Sequence, residues 1–291
     1  MSPPGRPKGE YRKAQPEGTP VRPPGRPAVA ALASALLLAG LGGLTAHPAA
    51  AQPATATADA RRSGLLDMGP ALQALQRDDS QNPGLLMVLD GQALWTRREG
   101  AAQRACSDCH GTAESSMRGA AARHPAIDAA NGQPINLDGR IRQCRTQRQQ
   151  APDWPAEHPE ALALGAYLGT LSRGLPIAPP ADARLAALQA EGRALWSQRF
   201  GQLNLACSHC HDQHAGQRLG GAVIPQGHPT GYPIYRLEWQ GPGSLQRRLR
   251  ACLVGVRAEP FPPGAREWLA LEAWLMQRAA GMPVETPAVR P

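Results

Sequence analysis

The sequence predicts an all-α fold made of two small tandem domains related by duplication, with long loops and little β structure. Three observations carry the prediction. Residues 91–95 align with 192–196, which sets Cys106, Cys109 and His110 opposite Cys207, Cys210 and His211 at a constant spacing of 101 residues. Apolar residues recur at helical spacing in matching places of the two halves. Strand signals are sparse, and 30 prolines among 291 residues mark loops between a few helices. A chain of this length exceeds the usual single domain, so two domains behind a removable leader is the natural partition.

The leader comes first in the chain. Residues 1–27 are rich in Pro, Gly and basic groups, residues 28–44 are apolar without a charge, and Ala49, Ala50 and Ala51 precede Gln52. Such a sequence is a secretory signal, with cleavage expected near Ala51, export to the periplasm by the general secretory route and no membrane anchor afterwards. The alternative is an uncleaved anchor, since the apolar run approaches the lower length limit for crossing a bilayer. The expected organisation is a leader over 1–51, a first domain over 52–178 and a second over 179–291. Cleavage removes both lysines, Lys8 and Lys13, and leaves about +4 of the formal +8 charge. That surplus is too small and scattered for nucleic acid, but it suits an anionic small molecule or an acidic protein partner.

Each half then repeats the same elements. A first helix buries Leu94 and Trp95, or Leu195 and Trp196, and leads into the cysteine motif. Residues 140–144 match 248–252, so the lone Cys144 and Cys252 occupy equivalent places. A second helix closes each half, with Leu162, Ala166 and Leu168 matched by Leu269, Ala273 and Leu275. Gly174 or Gly281, with Pro two residues later, ends it. Residues 176–182 read as the linker, and residues 222–224 with 232–235 as a short hairpin.

Four of the six cysteines lie in two Cys-x-x-Cys-His motifs. Two thiols at this spacing reach both vinyl groups of one haem, and the next residue offers an imidazole to the iron. Two copies in equivalent places behind a secretory leader predict two covalently bound haem c groups, on Cys106 and Cys109 and on Cys207 and Cys210, with His110 and His211 as proximal ligands. Zinc would need clusters close enough to share one metal, and a thioredoxin-like motif would need a βαβ setting. The haems also explain why so few aromatic residues suffice. Met117 follows His110 too closely to cross the haem face, Met282 has Leu175 as its counterpart, and the remaining histidines have no equivalents across the repeat. Cys144 and Cys252 do, which favours thiolate ligation of both irons. The competing reading joins Cys144 to Cys252 in a disulfide.

The two Cys-x-x-Cys-His motifs, residues 248–252 with 257–259, and the tail at 281–287 together resemble SoxA, the dihaem cytochrome subunit of the periplasmic thiosulfate-oxidising SoxAX complex. The resemblance spans about 91–290. It implies His and Cys axial ligands at each haem and a catalytic cysteine, found as a persulfide, at Cys252. The implied reaction is that of an L-cysteine S-thiosulfotransferase, which joins thiosulfate oxidatively to a cysteine of the carrier SoxYZ. The implied partner is the monohaem cytochrome SoxX, which passes the electrons to another cytochrome c. Thiosulfate is a dianion, so fixed guanidinium groups are expected around it. Arg248, one helical turn before Cys252, matches the family's substrate arginine, and Arg278, which replaces Leu171 of the first copy, is the second candidate. Arg140 stands to Cys144 as Arg248 does to Cys252, so the arginine alone does not mark the active copy. Arg142, Arg250 and Arg257 read as structural or propionate partners. The competing function is a dihaem electron carrier in which both cysteines only set a low potential; a peroxidase would need a vacant distal site.

Overall fold

The computed structural model describes residues 60–291, so the leader, its apolar run at 28–44 and the cleavage site near Ala51 lie outside the described residues. Among the described residues no helix is long and apolar enough to cross a membrane. In chain order the helices are α1 (Pro70–Arg77), α2 (Gly84–Thr96), α3 (Ser107–His110), α4 (Ala113–Ser116), α5 (Ala120–Arg123), α6 (Leu137–Cys144), α7 (Pro159–Thr170), α8 (Ala183–Ser197), α9 (Leu245–Gly255) and α10 (Arg266–Arg278). The strands are β1 (Ala126–Ile127), β2 (Pro134–Ile135), β3 (Arg218–Leu219), β4 (Ala222–Val223), β5 (Ile234–Arg236), β6 (Gly241–Gly243) and β7 (Ala288–Arg290). Two π-helical turns, Arg145–Gln149 and His209–Gln213, complete the set. The architecture is the helix-rich tandem fold that the sequence predicts.

The repeat is visible element by element. Helices α2 and α8 cross the closing helices α7 and α10 at a glycine each. A Cβ on Gly91 would stand 2.1 Å from the Ala163 carbonyl oxygen, and one on Gly192 would stand 1.9 Å from that of Ala270. Backbone meets backbone at both crossings, which only glycine permits. The first crossing centres a core of Met87, Leu94, Trp95, Leu164, Ala166 and Leu168. The second buries Leu185 and Leu188 completely against Ala270 and Ala273. The closing helices stop at Thr170 and Arg278, a few residues before Gly174 and Gly281. Both glycines have positive φ, 78° and 86°, in the turns that follow, so they shape the exit rather than cap the helix.

Each cysteine-bearing helix, α6 or α9, follows a two-stranded hairpin. Ala126 pairs with Ile135 in the first half, and Ile234 with Gly243 in the second. The expected pairing of 222–224 with 232–235 does not form. Instead β4 folds back on β3 across Gly220 and Gly221, while β5 lies between β6 and β7. A turn closed by two residues costs less chain entropy than the longer loop the other pairing would need.

The helix caps are equivalent too: Asn136 accepts from the Gly139 amide and Ser244 from the Arg247 amide. After the cysteines the halves diverge by one residue. Gln150 and Arg257 both take the left-handed conformation, at φ 55° and 59°. The first half reaches that turn one residue later and absorbs the surplus in the π-helical turn Arg145–Gln149, where α9 remains α-helical to Gly255. This is why the repeat spacing is 108 at the cysteines and 107 in the closing helices.

The segment 176–182 is not a free tether. The Ile177 side chain is 1% exposed, its amide donates to the Met282 carbonyl at 2.8 Å, and its carbonyl accepts from the Gly281 amide at 2.7 Å. The described residues form one compact unit.

Candidate haem and sulfur sites

In the first half, α2 delivers Trp95 and α3 carries Cys109 and His110, with Cys106 just before it. The two indole and imidazole rings lie 5.8 Å apart, and the indole Nε1 donates to the Gly111 carbonyl at 3.0 Å. Helix α6 brings Cys144 to the same cavity, whose wall is closed by Leu164 and Leu168 of α7. Met117 and His124 also line it, and the His124 Nδ1 is engaged with the Ala120 carbonyl oxygen at 2.8 Å. Burial pushes the Cys106 thiol up to about 11, with Cys144 adding to the shift, and burial raises Cys144 as well.

The second half repeats this construction. Trp196 lies 5.5 Å from the His211 ring and donates to Asp212 Oδ2 at 2.8 Å. His211 Nδ1 stands 2.7 Å from the Pro225 carbonyl oxygen, a contact in which Nδ1 donates and Nε2 keeps its lone pair. Burial lowers the pKa of His211 and so favours the neutral ring. Burial also pushes the Cys207 thiol up to about 11, with the neighbouring Cys252 as the next cause. All six cysteines are free, and the lone cysteine of each half acts on the motif thiol of its own half. The Cys144–Cys252 disulfide is therefore not formed.

These residues fit a haem. Paired thiols and an imidazole open on an apolar wall, and two buried donors, Trp274 Nε1 and Arg278 Nε, lack a partner among the described residues, which is the kind of group a propionate satisfies.

The arginines separate the halves. Arg140 donates to Gln143 Oε1 at 2.6 Å and to Asp128 Oδ1 at 3.1 Å. Arg248, its counterpart, is half-buried and its guanidinium has no ion pair or hydrogen bond among the described residues, although its charge acts on both His211 and Tyr232. Tyr232 in turn acts with Cys252, and burial pushes its phenol up to about 12. Arg278 is engaged elsewhere: it pairs with Asp212 at 2.5 Å, donates to the Gln226 carbonyl at 3.3 Å and lies 5.3 Å over the Trp196 ring, on the His211 side of the site. Arg142 is taken by Asp153 at 2.5 Å. Arg250 and Arg257 are exposed.

Sequence reasoning missed Tyr232 and the Asp128–Arg140–Gln143 group. The signal was present: residues 124–144 align with 232–252 without a gap, which sets Tyr232 at the position of His124, Arg236 at that of Asp128 and Ala251 at that of Gln143.

A duplicated Cys-x-x-Cys-His scaffold with a Trp ring tilted against each imidazole defines a c-type cytochrome, with haem c as its covalent cofactor. A family model described as SoxA/TsdA, cytochrome c domain, matches residues 90–177 and 191–284. The chain is 34% identical to the L-cysteine S-thiosulfotransferase subunit SoxA of Rhodovulum sulfidophilum, over 80% of this chain and 81% of that one. It is 34% identical to the same subunit of Pseudaminobacter salicylatoxidans, over 83% and 85%. The SoxXA crystal structure from P. pantotrophus superposes with a TM-score of 0.77 at 29% identity, covering 79% of this chain and 87% of that one. The chain belongs to the SoxA family.

Proposed function

We propose that this protein is the catalytic subunit of an L-cysteine S-thiosulfotransferase, that it carries two haem c groups, and that its chemistry takes place at Cys252. The observation that carries the reading is the company Cys252 keeps: Cys207 of a haem motif on one side, and one turn earlier on α9 an arginine whose charge no group among the described residues neutralises. Cys106 and Cys109, with Cys207 and Cys210, would hold the haems; His110 with Cys144, and His211 with Cys252, would offer their donor atoms to the irons. Bound haem would supply a ferric acceptor for electrons.

The remaining chemistry belongs to the chain. Thiosulfate carries two negative charges, and Arg248 offers planar donors to its sulfonate oxygens in a half-buried setting where such contacts are stronger than in water. A carrier thiol and thiosulfate join by a new sulfur–sulfur bond; the thiol loses its proton, and two electrons leave. Cys252, as thiolate or persulfide, would be the sulfur through which the two partners exchange, by the thiol–disulfide route. Electrons would pass to a SoxX-like monohaem cytochrome and then to a further cytochrome c, with SoxYZ as carrier, in the periplasm after leader cleavage near Ala51. The similarity to a solved SoxXA assembly supports the first partner, and the activity for which the relatives are named supports the substrate. Arg278 is proposed as a second contact for the anion, reached when its pair with Asp212 opens. The chain would be organised as domains over 52–178 and 179–291.

The test is turnover of purified holoprotein with thiosulfate, a carrier thiol and the small cytochrome. Cys252→Ser abolishes turnover with haem absorbance per chain retained, Arg248→Ala raises KM for thiosulfate about tenfold, and Arg278→Leu raises it less. Full activity of Cys252→Ser overturns the reading.

A further inference from the structure

We propose that Asp128 and Gln143 decide which half of the duplication accepts the sulfur oxyanion, by occupying the arginine that would otherwise bind it. The inference rests on the reading of Arg248 and Cys252 as the thiosulfate site, and it concerns the other copy. Both halves place an arginine one helical turn before a lone cysteine, on a helix that follows the same hairpin. In the first half Asp128, at 2% exposure, is inserted from the end of β1 between Arg140 and Gln143. Its Oδ1 accepts from Arg140 at 3.1 Å and its Oδ2 from the Gln143 amide at 2.7 Å, while Gln143 Oε1 accepts from Arg140 at 2.6 Å. The ring is closed: the guanidinium is neutralised, and the groups that neutralise it are fixed by each other.

The gapless alignment shows how the second half undoes the ring. Ala251 replaces Gln143, which removes the bridging amide, and Arg236 replaces Asp128, which reverses the charge. The Arg236 guanidinium turns away to Glu238 at 2.6 Å and lies 5.0 Å over the Trp239 ring. Among the described residues Arg248 is thereby left without a carboxylate, and an anion meets an unpaired guanidinium where the first half presents one already neutralised.

Other arginines do not restore the balance in the first half. Arg145 is bound to Glu99 and stacks 4.0 Å over Trp154. Arg148 reaches Cys144 electrostatically but is solvent-exposed, where a single guanidinium holds an anion weakly. A dianion entering the first cavity must displace the Asp128 carboxylate from Arg140, and one approaching Arg248 displaces no carboxylate of the described residues.

Calorimetric titration of the oxidised holoprotein with thiosulfate alone counts the sites. The parent binds one equivalent, and the double variant Asp128→Asn with Gln143→Ala binds two. Arg248→Ala binds the parent's one equivalent about tenfold more weakly and leaves the equivalent gained by the double variant unchanged, so the two copies report separately. One equivalent in the double variant with native haem absorbance overturns the inference, as do two equivalents in the parent. Unchanged affinity of Arg248→Ala in the parent background overturns the reading of the second site instead. Should the double variant not fold, Ala251→Gln at an exposed position gives the reciprocal test: it returns an amide to Arg248 and weakens thiosulfate binding at least threefold, and unchanged affinity overturns the inference.

Discussion

Glu272 on α10 is the residue whose charge state is most at odds with its surroundings. Its Oε2 accepts from Asn136 at 2.7 Å and from Gln246 at 3.5 Å, and among the described residues it has no ion pair. Burial pushes its carboxyl up to about 7, opposed by those two hydrogen bonds and reinforced by Asp138. The folded state therefore binds a proton more tightly than the unfolded chain. Its contribution to stability is full below the ordinary carboxylate range and is lost as pH rises through about 7. Glu272→Gln removes that dependence. Urea unfolding should find the variant matched to the parent near pH 5 and more stable by about 1–3 kcal/mol near pH 8. An equal pH slope in both proteins would show that Glu272 ionises as freely in the folded chain as in the unfolded one. The carboxylate joins the cap of α6 to α9, the two helices that carry Cys144 and Cys252, so its protonation bears on both cysteine helices at once.

Among the elements, the crossings α2–α7 and α8–α10 set where the Trp–His pairs fall. Gly192→Ala forces a methyl into the Ala270 carbonyl, and the Trp274 Cβ at 2.8 Å leaves no room to slide aside. The expected loss is about 1–3 kcal/mol, read as a lower thermal midpoint, with a weaker near-ultraviolet signal from Trp196. These helices were legible in the sequence because burial imposes a period on apolar residues and because the cysteine motifs fix the register between copies. The two shifts in repeat spacing were legible as well, but their cause was not: the π-helical turn Arg145–Gln149 depends on backbone hydrogen bonding that residue identity does not encode. The hairpins were misread for a related reason. Strands of two or three residues carry no alternation, and the pairing of β5 with β7 joins segments more than fifty residues apart. Asp128 escaped notice because a single acidic residue after a short strand has no signature until Arg140 and Gln143 are seen to meet it.

At the scale of the whole molecule, each half supplies what the other lacks. Asn136 of the first half binds Glu272 of the second, and Ser244 of the second binds Glu157 of the first, its amide donating at 3.1 Å. The C-terminal segment makes the strongest of these ties. Thr286 is fully buried with its methyl against Gly169, and its carbonyl accepts from Arg173 Nε at 3.1 Å. The Pro287 carbonyl accepts from Asn82 at 2.9 Å, and the Val289 amide donates to Gln76 at 3.1 Å. Every one of those partners belongs to the first half. Ending the chain after Met282 therefore deletes no residue of the first half, yet it exposes Gly169, takes one acceptor from the buried Asn82 amide and both donors from the buried Gln76 Oε1, and removes β7 from beside β5. Unpaired buried amides cost about 1–3 kcal/mol each, more than local fluctuation absorbs. Hydrogen exchange followed by mass spectrometry should then show amides of α2 and α7 exchanging at least tenfold faster than in the full chain, as expected when local opening reports a shared stability. If those helices keep their protection while α8 to α10 lose theirs, the halves are independent folding units that happen to touch. If both lose it together, the duplication has become one cooperative molecule, and the geometry of the first haem site depends on the tail of the second.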